Sequence, residues 1–172
     1  METMKVILAF LLIMFFSSGF AQESSKKAQR EKSRIEKQHQ VESLINSKEF
    51  VFTATRALPQ DGNSIDLTTN TNYLKFHPEK IESYMPFFGR AYSADYGGDG
   101  GIKFTGKPQD YKLVNGKKGF EISATVAVAQ DNYKLALFVS PEGSATLTII
   151  SNRKSSISYF GAISNSEESG EE

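Results

Sequence analysis

The chain has 172 residues, a formal net charge of zero, 39% hydrophobic and 12% aromatic residues, and no cysteine. That length fits one domain with terminal extensions better than two domains, and the apolar fraction is enough to bury a core. Neutrality removes any global field for nucleic acid or an anionic membrane, and the lack of cysteine excludes disulfides, thiolate nucleophiles, thiolate metal sites and lipid attachment through a cysteine.

The first element in the chain is a targeting segment. Lys5 precedes an unbroken apolar run from Val6 to Phe16, followed by Ser17, Ser18, Gly19, Phe20 and Ala21. A basic start, a short apolar centre and small residues three and one positions before Gln22 are the parts of a secretory signal peptide. The run is too short for a transmembrane helix, which needs roughly 20 apolar residues. Residues 1–21 are therefore read as a signal peptide, with a periplasmic or secreted destination and no membrane span after cleavage.

Residues 22–47 read as a polar helical spacer. Acids and bases interleave through "ESSKKAQREKSRIEKQHQ", where only Ala28 and Ile35 are apolar. Such a segment is a solvated helix or a spacer, and it lacks the apolar heptads of a coiled coil. From Val41 the pattern changes, because Val41, Leu44 and Ile45 fall on one helical face that can dock.

Residues 48–163 switch to a period of two. Phe50, Phe52 and Ala54 share one face of "EFVFTATRA" ahead of a turn at Pro59 to Asn63. Short candidates follow around Ile65 to Leu67, Tyr73 to Phe76, Lys80 to Tyr84, Ile102 to Phe104 and Asp110 to Val114. Four cleaner strands close the domain, led by Phe120/Ile122/Ala124/Val126/Val128, Tyr133/Leu135/Leu137/Val139, Ala145/Leu147/Ile149 and Ile157/Tyr159/Ile163. Turn residues at Asn115-Gly116, Gln130 to Asn132, Ser140 to Gly143 and Ser151 to Arg153 separate them at steps of roughly 12 residues, the spacing of hairpin-connected strands.

Eight to ten strands with one apolar face would leave an open sheet half uncovered, so the sheet must curl or split. The expected fold is all-β: an antiparallel meander closing into a barrel-like or half-closed β-barrel, with a sandwich as runner-up, preceded by a polar N-terminal helix. Ala127, Phe138, Ile150 and Phe160 are apolar on the minor faces of their strands and could sit under that helix. Residues 164–172 carry four Glu and no base, an acidic disordered tail.

Three stretches of the domain carry a likeness. "FVFTATRALPQDG" near its start, "MPFFGRAY" followed by "GGIKF", and the closing "NRKSSISYFGAI" resemble the exported Bacteroidetes family named domain of unknown function 4251, from about Phe50 to Ile163. Met85 and Phe87 stand where the family tends to have Leu and Tyr. The resemblance implies an exported single domain and supplies no activity. It places Phe88, Gly89, Arg90, Ala91, Tyr92, Arg153, Ile157, Ser158, Tyr159 and Gly161 in the family signature.

Catalytic chemistry has little to work with. His39 lies in the polar helix and His77 beside Pro78 in a turn, so neither a Ser-His-acid triad nor a His-based metal site is expected. Glu79 and Glu82 read as solvent-facing charges rather than the facing pair of a glycosidase. Asp95 and Asp99 in "YSADYGGDGG" offer too few oxygens for calcium, and the segment reads as a glycine connection. No enzyme, cofactor, metal or nucleic-acid partner is expected. In extended chain Phe88, Arg90 and Tyr92 share a face. With Tyr159 they are the candidate ligand-binding residues, for a small amphipathic or anionic molecule. The competing readings are that Arg90 pairs and stacks to close a barrel end, and that the protein docks an envelope protein.

If the leader reading holds, mass spectrometry of the protein recovered from its host's exported fraction should find an N-terminus at Gln22. A mature form that still carries Val6 to Phe16 would sink it.

Overall fold

A computed structural model describes residues 26–60, 62–92, 100–128 and 131–166. The signal-peptide reading of residues 1–21, the glycine connection with Asp95, Tyr96 and Asp99, the turn residue Gln130 and the Glu residues of the tail lie outside the described residues.

Residues 26–47 are helical (α1), and ten strands follow. They are β1 (Phe50–Pro59), β2 (Ile65–Asp66), β3 (Tyr73–Phe76), β4 (Ile81–Met85) and β5 (Ile102–Gly106) in the first half. The second half holds β6 (Pro108–Gly116), β7 (Gly119–Val128), β8 (Asp131–Val139), β9 (Ser144–Ser151) and β10 (Ile157–Ser164). All pair antiparallel in one sheet of order β5-β4-β3-β1-β10-β9-β8-β7-β6, with β2 on the side of β1. The sheet curls into a nearly closed barrel with one unsealed seam between β5 and β6–β7.

That seam is closed by side chains instead of backbone hydrogen bonds. Only Lys107 separates β5 from β6, so the chain pairs with β4 and then, past the bend, with β7. Gly106 comes so close to β7 that a Cβ there would lie 2.6 Å from Val126 Cγ1. Phe104 of β5 stacks on Tyr133 of β8 with ring centroids 4.5 Å apart. Pro108, which has no N–H to leave unpaired, suits the start of an edge strand.

The interior is packed with large apolar groups. Phe50 and Phe76 stack at 4.5 Å, and Leu74, Ile81, Met85, Leu137, Leu147 and Tyr159 are fully buried around them. From the helical side Val41 and Ile45 are buried and join this core, with Leu44 packed against it. The helix ends at Lys48, whose φ of 57° puts it in the left-handed region and whose N–H donates to Ile45 O.

Three local details depart from the period-two reading. The phase of β1 shifts at a bulge between Ala54 and Arg56, so Phe50, Phe52 and Ala54 are followed inside by Ala57. The hairpin expected at Asn115-Gly116 turns at Lys117 and Lys118, between paired Gly116 and Gly119. Gly119 has a φ of 143°, and a Cβ there would run into Val139 O. Of the minor-face residues, Phe160 is half-buried with Arg56 over its ring, and the other three are uncovered. Ala127 is exposed, as are Phe138 and Ile150, because the helix buries Val41 and Ile45 into the core itself.

The two apolar residues of α1 should therefore respond differently. Ile45→Ala removes a fully buried side chain and should cost about 2–5 kcal/mol. Ile35, 45% exposed, should change stability by no more than about 0.5 kcal/mol when replaced by Ala. Denaturant unfolding with matched slopes reads both, and equal losses would misplace the docking boundary.

Candidate functional site

After β4 the chain leaves the sheet at Pro86 and runs alongside the β9–β10 connection. Arg90 N–H donates to Ser155 Oγ (3.0 Å), across 65 residues of sequence. Ser155 N–H donates back to Arg90 O (2.9 Å), and Tyr92 N–H donates to Arg153 O (2.8 Å). Ala91 and Lys154 form an isolated antiparallel bridge. The FGRAY and NRKSS stretches, both singled out in the sequence, thus make one short ribbon.

Glycine at position 89 allows this approach. A Cβ there would collide with Ser155 Oγ and lie 2.7 Å from Phe87 Cζ. Ser155 is itself buried. Below the ribbon, the Tyr159 hydroxyl donates to Pro86 O at 2.6 Å and fastens the point where the chain leaves β4. Tyr159 is fully buried, and burial pushes its phenol well above the ordinary tyrosine value.

The other side of the ribbon is held by a carboxylate. Asp131 accepts from Ser151 Oγ (2.7 Å) and from the N–H groups of Asn132 (2.8 Å) and Asn152 (3.1 Å). Ser151 Oγ in turn accepts from the N–H groups of Arg153 (3.0 Å) and Lys154 (3.1 Å). Lys154 Nζ donates to Gly100 O (2.9 Å) and Gly101 O (2.6 Å) and stands 5.3 Å from the centre of the Phe87 ring. Donors and acceptors are matched around a sharp connection, which fixes its backbone.

The four candidate residues separate into two groups. Phe88 is 43% exposed, Tyr92 is 70% exposed and Arg90 is exposed, so all three lie on the outer side of the ribbon. Tyr159 lies beneath them in the core. Arg90 is exposed, and its main chain joins Ser155 through two hydrogen bonds. The main chain of residues 90–92, Ser155 and Tyr159 all take part in holding one barrel end. What the outer side offers is an exposed arginine alternating in sequence with two exposed aromatic residues, side-chain types that can take a planar anion and stack on an apolar body.

Other residues considered for chemistry go to structural partners. Glu82 accepts from the Tyr73 hydroxyl (2.9 Å), whereas Glu79 stands 3.8 Å from Lys107. Tyr73 and Tyr84 stack at 5.7 Å, with Lys75 and Lys103 over their rings, a cross-strand ladder on the outer face. His77 Nδ1 lies 3.9 Å from Glu49, and His39 is exposed on α1. Among the described residues no three His, Cys, Asp or Glu side chains gather to hold a metal, and no helix is long and apolar enough to cross a membrane.

Ser155, Ser151, Asp131 and Lys154 were not singled out as functional residues. Ser155 and Lys154 did stand inside the quoted closing motif. A polar run between two apolar strands is the signal that could have drawn attention to them.

Gly89→Ala should displace Ser155 and cost about 1–3 kcal/mol. Tyr159→Phe loses one hydrogen bond, worth about 1 kcal/mol. Arg90→Ala, at an exposed side chain, should cost no more than about 1 kcal/mol. Finding Arg90→Ala the worst of the three would give the closing role to its head group. Because the folded state keeps the Tyr159 phenol protonated beyond the unfolded value of about 10, stability should fall as pH rises past that point. Tyr159→Phe should lose less over that alkaline range.

The model of the family called domain of unknown function, DUF4251, matches residues 32–163, which extends the likeness upstream from Phe50 into α1. A crystal structure of a DUF4251 family protein from Bacteroides eggerthii superposes with a TM-score of 0.59 at 18% identity, covering 77% of this chain and 89% of that one. At that identity the likeness speaks for the fold alone. No curated protein matches. With the motifs, the barrel and the family match in agreement, the chain belongs to the DUF4251 family.

Proposed function

We propose that the protein is an exported β-barrel module that works by binding and not by catalysis. Its ligand, a small amphipathic or anionic molecule, meets the outside of one barrel end at Phe88, Arg90 and Tyr92. The observation that carries this reading is the exposure of two aromatic residues and an arginine side by side on a backbone pinned by three hydrogen bonds. Tyr and Arg are the residue types that concentrate binding energy at interfaces. A rigid backbone beneath them lowers the ordering cost of binding. Export rests on the leader, and the surface version of the ligand idea rests on the exposure of Phe88, Arg90 and Tyr92 above a buried Tyr159.

A second reading has its own observation. On the outer faces of β6 to β9 a groove of about 360 Å³ is lined by Val114, Ser123, Ala136, Phe138 and Thr148. Val114 is 56% exposed and Phe138 38% exposed, which favours an envelope protein as partner on that side.

Native mass spectrometry of protein purified from its own periplasm distinguishes the two. A retained small molecule that is lost in Arg90→Ala/Tyr92→Ala, with an unchanged unfolding midpoint, is the expected result. A retained protein lost only in Val114→Ser/Phe138→Ser would favour the second reading. Retention indifferent to both pairs, or no retention at all, overturns the proposal.

A further inference from the structure

Written out in line, the acids and bases of residues 26–37 are interspersed; wound into a helix, they separate. All twelve positions are exposed, and six Lys and Arg stand against two Glu, a net of +4 (6 − 2). At about 100° per residue, Lys26, Lys37, Arg30, Arg34 and Lys27 fall, in that angular order, within about 100° of the helix circumference. Glu31 borders the stripe beyond Lys27, while Lys32 and Glu36 lie on the far side. Five cations therefore line one face over about 16 Å of helix.

Glu31 is within reach of Lys27 and Arg34, and Glu36 of Lys32, yet the stripe itself is crowded with like charge. Lys26–Arg30 and Arg30–Arg34 are like-charge neighbours four residues apart, and Lys27–Arg30 and Arg34–Lys37 are neighbours three apart. A counter-charged plane turns that repulsion into attraction, because every head group of a straight stripe can reach it at once. A compact anion could reach only one or two of them. The segment has no aromatic residue to stack on a base, and its apolar residues, Ala28 and Ile35, point away from the stripe.

We propose that this basic face of α1 lies along an anionic phospholipid surface and holds the protein there peripherally. Charge complementarity selects the partner, and export, as proposed above, supplies such a surface. Juxtaposed lysines and arginines act additively at an anionic bilayer and are screened by salt. The overall neutrality of the chain conceals the device, since the acidic C-terminal residues cancel the stripe in the sum.

The test is co-sedimentation of the full chain with phosphatidylcholine vesicles, with and without about 30% phosphatidylglycerol. Neutral vesicles measure whatever the apolar run of residues 6–16 contributes by itself. The ratio of anionic to neutral binding should be about tenfold or more at low salt and approach one at about 0.5 M salt. Lys26→Gln/Arg30→Gln/Arg34→Gln should abolish the ratio. Lys32→Gln/Lys107→Gln/Lys118→Gln, which removes the same charge elsewhere, should keep it. A wild-type ratio near one, equal losses in both triple variants, or stronger retention on duplex DNA than on the anionic vesicles would overturn the proposal. The vesicle result does not depend on whether Arg90 binds anything, so the two readings fail separately.

Discussion

Everything in this barrel hangs on the pairing of its first long strand with its last. β1 carries β3, β4 and β5 on one edge; β10 carries β9, β8, β7 and β6 on the other. Without the β1–β10 ladder the domain is two unrelated ribbons, each with an uncovered apolar face. The ladder is tight where the β1 bulge passes Gly161. A side chain there would strike Thr53 O, and its absence lets the bulged strand keep its hydrogen bonds. Glycine in a strand interior is ordinarily a weakness. At position 161 it permits the close approach of β10 to β1.

The opposite closure is of a different kind. At the seam, ring stacking of Phe104 on Tyr133 and the approach of Gly106 to Val126 replace a ladder. Such packing is non-directional and tolerates sliding, whereas the β1–β10 ladder fixes register. The barrel thus has one side set by hydrogen bonds and another set by fit. The ribbon of residues 88–92 against 153–155 borders the ladder side, anchored by Tyr159 from β10. Its backbone therefore inherits the order of that ladder, while its outer side chains remain in water.

Strand existence was legible in the sequence because apolar residues alternate wherever one face meets a core. Phe120 to Val126 and Tyr133 to Val139 show this without interruption. What the alternation could not show is a change of phase. The bulge at Ala54/Arg56 moves the inward face by one residue, and nothing in the residue types of "TATRA" announces it. The hairpin tip at Lys117 and Lys118 escaped for a related reason. Glycines flank the turn there, where backbone passes close, instead of occupying it. At the candidate site the alternation of Phe88, Arg90 and Tyr92 was readable, since a period of two needs only extended chain. Which side of the ribbon faced water was not. That depends on Ser155, 65 residues from Arg90, whose hydroxyl takes the place that a side chain at Gly89 would need.

The β1–β10 ladder also sets a timetable. Thr55 Oγ1 donates to Phe160 O across 105 residues, so the contact that unites the two halves closes a loop almost as long as the domain. Closure entropy must be met before that contact returns anything, which makes folding slow for the chain's size. A polypeptide delivered from its N-terminus through a narrow exit can form the β3–β4 hairpin early. It has no barrel until β10 has emerged. Until then Phe50, Phe52 and Phe76 have no lasting shelter, and the half-made sheet is open to wrong partners.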